Sequence, residues 1–178
     1  MKIEKIKNHL VAALGLIFGL YHILVLNFIP RPAMAFRSFH LLLVLLLTFL
    51  LYPTFKEKDG KKGVPDFISP ILIVATIVSI GYAYFQIENI LYRGGIFTTQ
   101  WDVIMGFICL VCVLEGTRRT NGLALPIIGF VFVLYAMFGQ YLPGMLGTTG
   151  YSIKRIITTL FTYDGIFGTA LDTAATFV

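Results

Sequence analysis

Charged residues are scarce in this chain. They make up 13% of its 178 residues, whereas hydrophobic residues make up 57%. Soluble globular domains contain about 25% charged residues, so the composition excludes an ordinary soluble domain. Internal repeats and low-complexity tracts are also missing from the sequence. The composition is typical of an integral membrane protein.

Cysteines are equally few, and the only two, Cys109 and Cys112, form a C-x-x-C inside an apolar run. Without a second pair or clustered histidines, thiols one helical turn apart in lipid behave as small apolar residues, so a metal site or a disulfide is not indicated. The sequence also lacks a nucleophile elbow, a phosphate-binding loop, an H-E-x-x-H motif and paired carboxylates. We therefore expect neither an enzyme nor a bound cofactor.

Long apolar runs are what the chain has in quantity. A helix needs about 20 apolar residues to cross the hydrocarbon core of a bilayer. Five runs approach or reach this length, at residues 10–29, 39–55, 68–87, 101–117 and 123–142. The first is too long for a secretory signal and lacks a small-residue cleavage pattern after it. The sequence predicts an all-α, polytopic membrane bundle of about five transmembrane helices.

Basic residues between the runs predict the orientation. With the N-terminus in the cytoplasm, nine of the 14 lysines and arginines lie inside and five outside, among them Arg31 and Arg37 after the first run. This is the direction of the positive-inside rule. The loop at residues 56–65 carries the strongest cluster of charge, with a turn at Gly60. The net charge of +5 is thus explained by topology and anionic lipid, and it does not indicate a nucleic-acid partner.

A short amphipathic segment follows the fifth run. At residues 153–161 apolar side chains recur at spacings of three and four, which places them on one stripe of a helix. A segment of this length is too short to span a membrane, so we expect this helix to lie along the outer interface. The alternative is a helix packed against protein that is absent from this sequence.

Few polar side chains fall inside the runs. His22 lies in the middle of the first run, where a packing contact or a hydrogen bond between helices is favoured over a proton or ligand site. Gly15 and Gly19 form a G-x-x-x-G, a pattern that allows close helix packing. Glu88 and Asp102 fall at outer ends of runs, where we expect water to solvate them; the alternative is a role in an outer docking surface.

Glu115 is the most suggestive acidic residue, with Arg118 three residues on and Arg119 four residues on. This spacing places opposite charges on one helical face. We expect a structural role, as a membrane anchor or a subunit contact, because a paired acid is not free to bind a transported cation. At the other end of the next run, Tyr141, Pro143 and Gly144 are structural candidates where the chain turns at the outer face.

Several separated motifs keep a common order: L-E-G-T-R-R at 114–119, G-L-A-L-P at 122–126, Y-A-M-F-G-Q-Y-L-P-G at 135–144, G-Y-S at 150–152 and G-I-F-G at 165–168. In these motifs the chain resembles the fused permeases of tripartite ATP-independent periplasmic (TRAP) transporters, in the branch served by TAXI-type solute-binding proteins. The resemblance covers residues 52–178. The first fifty residues are similar only in hydropathy.

The resemblance implies a division of the chain. Residues 1–120 would form a four-helix domain like the separate small subunit, 121–144 the helix that fuses it to the large transport domain, 145–164 an outer interfacial segment, and 165–178 the start of that large domain. Because a fused permease continues for several hundred residues, we expect a fragment or a truncated gene.

The resemblance also implies a function: a membrane scaffold in a secondary, sodium-coupled solute uptake system of the bacterial or archaeal cytoplasmic (inner) membrane. Its partners would be the large domain, which holds the substrate and sodium sites outside this chain, a periplasmic TAXI-type solute-binding protein and the lipid bilayer. Residues 91–100, with a bend at Gly94 and Gly95, and residues 153–161 are candidate surfaces for the binding protein. Two alternatives stay open: a self-contained small membrane assembly protein, and a small pore or exporter, for which the runs hold few polar residues.

Overall fold

The computed structural model describes residues 2–29, 31–55, 66–93, 97–162 and 164–176. Within these ranges every regular element is helical. The α-helices are α1 (Lys2–Asn27), α2 (Ala33–Leu51), α3 (Ile68–Phe85), α4 (Ile87–Arg93), α5 (Gln100–Asn121), α6 (Ala124–Phe138), α7 (Ile153–Leu160) and α8 (Thr169–Thr176). The charged loop at 56–65 with its Gly60 turn, and the bend at Gly94 and Gly95, lie outside the described residues.

Five of the helices are long and apolar enough to cross a membrane, which confirms the number predicted from the sequence. They cover Glu4–Asn27, Ala33–Leu51, Ile68–Phe85, Gln100–Asn121 and Ala124–Tyr141. The predicted all-α fold is likewise confirmed for the described residues. The placement of the N-terminus in the cytoplasm stays a prediction, as do the domain boundaries at residues 120, 144 and 164.

The predicted bounds of the second span are wrong. Helix α2 begins at Ala33 and ends at Leu51, about a turn and a half earlier than the apolar run at 39–55. The apolar run starts only after Arg37 and Ser38, because both side chains are polar. In the structure both are buried in the first turns of α2, so the helix begins before the apolar run does.

Helices α2, α3 and α5 form the centre of the bundle. Their buried apolar side chains make one core with residues from the C-terminal part of the chain; the core includes Leu41, Leu45, Phe49, Ile80, Ala83, Cys109, Cys112, Phe161 and Phe167. Helix α1 packs against α2, α6 and α7 pack against α5, and α8 packs against α2. The C-terminal helices are therefore part of the same packed unit as the first four spans.

Helix α5 approaches its neighbours closely at two glycines. A Cβ built on Gly116 would lie 2.8 Å from Cδ2 of Leu45 in α2. One on Gly106 would lie 3.0 Å from both Ile157 and Phe161. Glycine at these two positions lets α2 and the segment of α7 pack directly on the α5 backbone.

The amphipathic segment forms α7, and its apolar stripe packs within the chain. Ile156, Ile157 and Phe161 are buried, and the rings of Phe161 and Phe167 meet edge to face at a centroid distance of 5.8 Å. Neither interpretation of the sequence, the lipid interface or protein absent from this sequence, included this contact with α5. The position of α7 at a membrane interface stays a prediction.

Candidate functional site

The last turns of α5 carry the most extensive polar cluster in the described residues. Glu115 accepts hydrogen bonds from both arginines that follow it. Its Oε2 lies 2.7 Å from Nε of Arg118, and its Oε1 lies 2.8 Å from Nη2 of Arg118 and 2.8 Å from Nε of Arg119. One carboxylate thus holds two guanidinium groups on one side of the helix.

The side chain of Arg119 is 0% exposed and points into the bundle. Its Nη1 donates to the carbonyl oxygen of Tyr52 at 2.9 Å and to Oγ of Ser69 at 2.6 Å, and its Nη2 donates to Oγ1 of Thr54 at 2.6 Å. The guanidinium carbon also lies 5.0 Å from the centre of the Phe49 ring. Arg119 therefore ties α5 to the end of α2 and the start of α3.

Asp66 completes the cluster from the start of α3. Its carboxylate accepts from the hydroxyl of Ser69 at 2.5 Å, the hydroxyl of Thr54 at 2.7 Å and the backbone N–H groups of both residues at 3.0–3.1 Å. Burial alone would raise the pKa of Asp66, but the hydrogen bonds from Ser69 and Thr54 outweigh it and hold the pKa well below its usual range. Asp66 is therefore a carboxylate at neutral pH.

These residues form what we call the Arg119 cluster: Tyr52, Thr54, Asp66, Ser69, Glu115, Arg118 and Arg119. Its two arginines and two carboxylates balance in formal charge, which is the condition under which charges can be buried. Thr54 and Asp66 also stand on either side of the loop at 56–65. The arrangement fixes three helix ends, together with Thr54 and Asp66, which flank that loop in the sequence.

Neither a protein-family model, a curated protein nor a solved structure matches the chain.

A second cluster surrounds Asp102 at the opposite end of α5. The prediction that water solvates this residue is wrong, because Asp102 is 5% exposed. Its carboxylate accepts from the hydroxyl of Tyr82 at 2.8 Å, from Arg93 at 3.1 Å and from the backbone N–H of Thr99 at 2.8 Å. The Thr99 hydroxyl in turn accepts from the N–H of Asp102, closing a capping box that starts α5. Glu88, in contrast, is exposed as expected.

A third contact joins α2 to the C-terminal helix. Arg37, counted from the sequence among loop residues outside, is buried in α2 and lies 2.6 Å from the carboxylate of Asp172 in α8. Its Nη1 donates to the carbonyl oxygen of Phe167 at 2.9 Å. The apolar-run count could not place Arg37, because its partner lies at the far end of the sequence.

His22 makes a hydrogen bond between helices. Its Nε2 lies 2.7 Å from Nδ1 of His40 in α2, and its Nδ1 lies 2.7 Å from the carbonyl oxygen of Phe18. Because a carbonyl only accepts, Nδ1 of His22 is the donor in the second bond. In a neutral pair Nδ1 of His40 then donates to Nε2 of His22. Sequence inspection singled out His22 but missed His40.

The glycine pair in α1 does not lie at a close contact with another described helix, although its spacing suggested one. A Cβ built on Gly15 or Gly19 would meet nothing within 4 Å, so no described helix packs closely there. The close contacts of this kind involve Gly106 and Gly116, which form no G-x-x-x-G. A motif of spacing alone did not find the glycines that the packing uses.

The turn after α6 contains Tyr141, Pro143 and Gly144, whose structural role stays a prediction, and backbone hydrogen bonds hold it. Tyr141 is exposed, and Gly144 has a φ of 66°, a conformation that favours glycine. The segment folds back on α6 through a bond of 3.1 Å from the N–H of Thr148 to the carbonyl of Gly139, and one of 2.9 Å from the N–H of Tyr151 to the carbonyl of Ala136. Pro143 precedes a short 3-10 helix, Gly144–Leu146.

The three charged contacts, around Arg119, Asp102 and Arg37, can hold helices together at neutral pH. Each contains a carboxylate held by at least one arginine, and among the described residues no group of three or more His, Cys, Asp or Glu side chains could hold a metal ion. A signal for Asp66 was present in the sequence, since an aspartate just before an apolar run is a helix-start signal. Thr99-x-x-Asp102 is another. Their partners are distant in sequence and carried no local signal.

Proposed function

We propose that this chain is the membrane scaffold part of a TRAP-type permease, a secondary and sodium-coupled solute uptake system. In this proposal it is a multi-pass protein of a bacterial or archaeal cytoplasmic membrane. It works with the large transport domain of the same permease and with a periplasmic TAXI-type solute-binding protein. The observation that carries the proposal is the Arg119 cluster. The L-E-G-T-R-R segment, one of the motifs on which the resemblance rests, contributes its Glu115, Arg118 and Arg119.

A scaffold must keep its helices in fixed relation while another domain moves against it. The Arg119 cluster supports this role because it couples α2, α3 and α5 through a buried arginine whose displacement would leave charges without partners. The Asp102 cluster and the contact of Arg37 with Asp172 act in the same way elsewhere in the bundle. The charged groups of these three contacts thus serve helix packing.

The same contacts argue against the pore or exporter. A polar pathway needs side chains that face a common channel and are available to a passing solute. Here Glu115, Asp102 and Arg119 bond to other side chains within the bundle. We propose no enzymatic activity and no resident cofactor for this chain, and we assign sodium coupling to the large domain.

Affinity capture tests the proposed partners. The complete gene product, tagged at its N-terminus and expressed in its native host, is cross-linked in the membrane, and the products are identified by mass spectrometry. We expect to recover a periplasmic solute-binding protein, and we expect its recovery to depend on the cross-linker. An unrelated tagged membrane protein of similar abundance is the control. Capture with no solute-binding protein, under conditions that preserve known membrane complexes of the host, would contradict the proposal.

A further inference from the structure

An open apolar groove lies between α5, α6 and α7, with a volume of about 530 Å³. On α5 it runs from Phe107 to Leu114, a distance of about 10 Å along the helix. On α6 it runs from Gly129 to Ala136. Residues of α7, among them Ile157, line the end near Phe107, because α7 packs on α5 at Gly106.

Nothing in the described residues fills this groove. Helix α6 has no buried side chain, and Gly129 contributes no side chain to the wall. A Cβ built on Gly129 would lie at an ordinary contact distance of 3.7 Å from Leu114. Apolar cavities do not hold ordered water, because water needs polar partners. In a bilayer the apolar lining of the groove is suited to hydrocarbon such as an acyl chain.

Two cations lie beside the groove, in the first turn of α7. Lys154 and Arg155 are exposed and form no ion pair with the described residues. Arg155 lines a second apolar cavity, of about 380 Å³, which shares Ala136, Ile156 and Leu160 with the groove. Its guanidinium carbon lies 5.3 Å from the centre of the Tyr151 ring.

The electrostatics of α7 do not account for these cations. A helix is stabilised by negative charge in its first turn and by positive charge in its last, so Lys154 and Arg155 stand at the unfavourable end. An anion beside them would offset this cost. The groove and the cations together are complementary to a ligand with a hydrocarbon chain and an anionic head group.

We propose that this site binds an anionic phospholipid, with one acyl chain in the groove and its phosphate at Lys154 and Arg155. Phosphatidylglycerol has the required chemistry. Phosphatidylcholine offers the same chain and phosphate, but its choline adds a positive charge beside two cations. The site therefore distinguishes lipids by head-group charge, and the bound lipid fastens α7 to α6.

Fluorescence quenching by brominated lipids tests the proposal. Trp101 is the only tryptophan, so the Trp101→Phe, Phe107→Trp variant reports on the groove alone. The variant is reconstituted in vesicles that contain brominated phosphatidylglycerol or brominated phosphatidylcholine at equal mole fractions. We expect phosphatidylglycerol to bind several-fold more strongly, with up to about fivefold from each cation near the membrane surface.

Two changes made in this reporter protein should each reduce binding. Lys154→Gln with Arg155→Gln should abolish the head-group preference, whereas Lys5→Gln with Lys7→Gln, the same loss of charge in the first helix, should leave it unchanged. Gly129→Leu should fill the groove and lower quenching by both lipids. Gly81→Leu is its control, because a Cβ at Gly81 meets nothing within 4 Å.

The outcomes separate the proposal from general lipid contact. Equal quenching by the two lipids would overturn it, and so would a preference that survives the loss of Lys154 and Arg155. Unchanged quenching in Gly129→Leu would show that the chain does not enter the groove and would overturn it as well.

Discussion

Arg119 and Asp66 are joined through two hydroxyl groups. Thr54 and Ser69 each donate a hydrogen bond to the Asp66 carboxylate and accept one from the Arg119 guanidinium. The two charged groups are also 3.8 Å apart directly. This arrangement holds the ends of α2 and α3 against α5, and it suits a scaffold better than a transport site because each charge already has fixed partners.

Removal of the Arg119 charge should strongly destabilise the bundle. Arg119→Met keeps an unbranched chain but leaves Glu115 and Asp66 with fewer partners, and breaking a buried ion pair costs about 3–5 kcal/mol. Arg119→Lys should recover only part of this, because one ammonium cannot reproduce the forked bonds to Tyr52, Ser69 and Thr54. The measurement is reversible unfolding in mixed micelles.

The matched control is Arg118→Met. The Arg118 side chain is 33% exposed, so its loss should cost about 1 kcal/mol or less. If Arg118→Met proved as destabilising as Arg119→Met, the claim that Arg119 is the central stabilising residue of the cluster would be wrong.

Asp66 should make stability depend on pH in the acid range. Its pKa is lowered in the folded state, so its contribution is complete above the unfolded value of 3.8 and is lost as the pH falls toward the folded pKa. We expect the unfolding temperature in detergent to fall below about pH 4. Asp66→Asn should be less stable at pH 7 and should show a smaller loss on acidification. An identical acid profile in both proteins would remove Asp66 as the cause.

Gly106 should be needed for α7 to dock. A Cβ at this position would lie 3.0 Å from both Ile157 and Phe161, so Gly106→Leu should displace α7 or cost about 1–3 kcal/mol by overpacking. Thermal unfolding measures the loss of stability, and limited proteolysis by cleavage after Lys154 measures the displacement of α7. Gly81→Leu, at an open position on α3, should leave both unchanged. Normal protection of Lys154 from cleavage together with an unchanged unfolding temperature in Gly106→Leu would contradict the observed packing.

Cysteine labelling should establish the orientation. Cys109 and Cys112 are buried, so the unmodified protein should react little with a membrane-impermeant maleimide. In intact spheroplasts we expect Lys154→Cys to be labelled from outside and Lys7→Cys to be labelled only after the membrane is opened. The reverse pattern would place the N-terminus outside and invert the positive-inside assignment.

Hydropathy is enough to predict the five long helices, because the length of an apolar run follows directly from the thickness of a bilayer. Local spacing is also enough to place Glu115 beside both arginines. Hydropathy does not predict where α2 begins, because Arg37 is a polar residue that is buried in the fold. Its partner, Asp172, belongs to the last helix.

Contacts between residues distant in sequence cannot be predicted from local sequence patterns, because the partner lies in another helix. Periodicity shows which face of a helix is apolar, but it does not show which helix covers that face. The stripe of α7 alone predicts contact with lipid, whereas in the fold it packs on Gly106. The position of Asp102 at the end of a run predicts contact with water, whereas Tyr82 and Arg93 bind it.

The most direct test of the scaffold role is to sequence the source gene beyond the codon for Val178. The account predicts that the reading frame continues through many further apolar spans, which would form the large transport domain. A stop codon directly after Val178 would contradict it and would favour a self-contained small membrane protein.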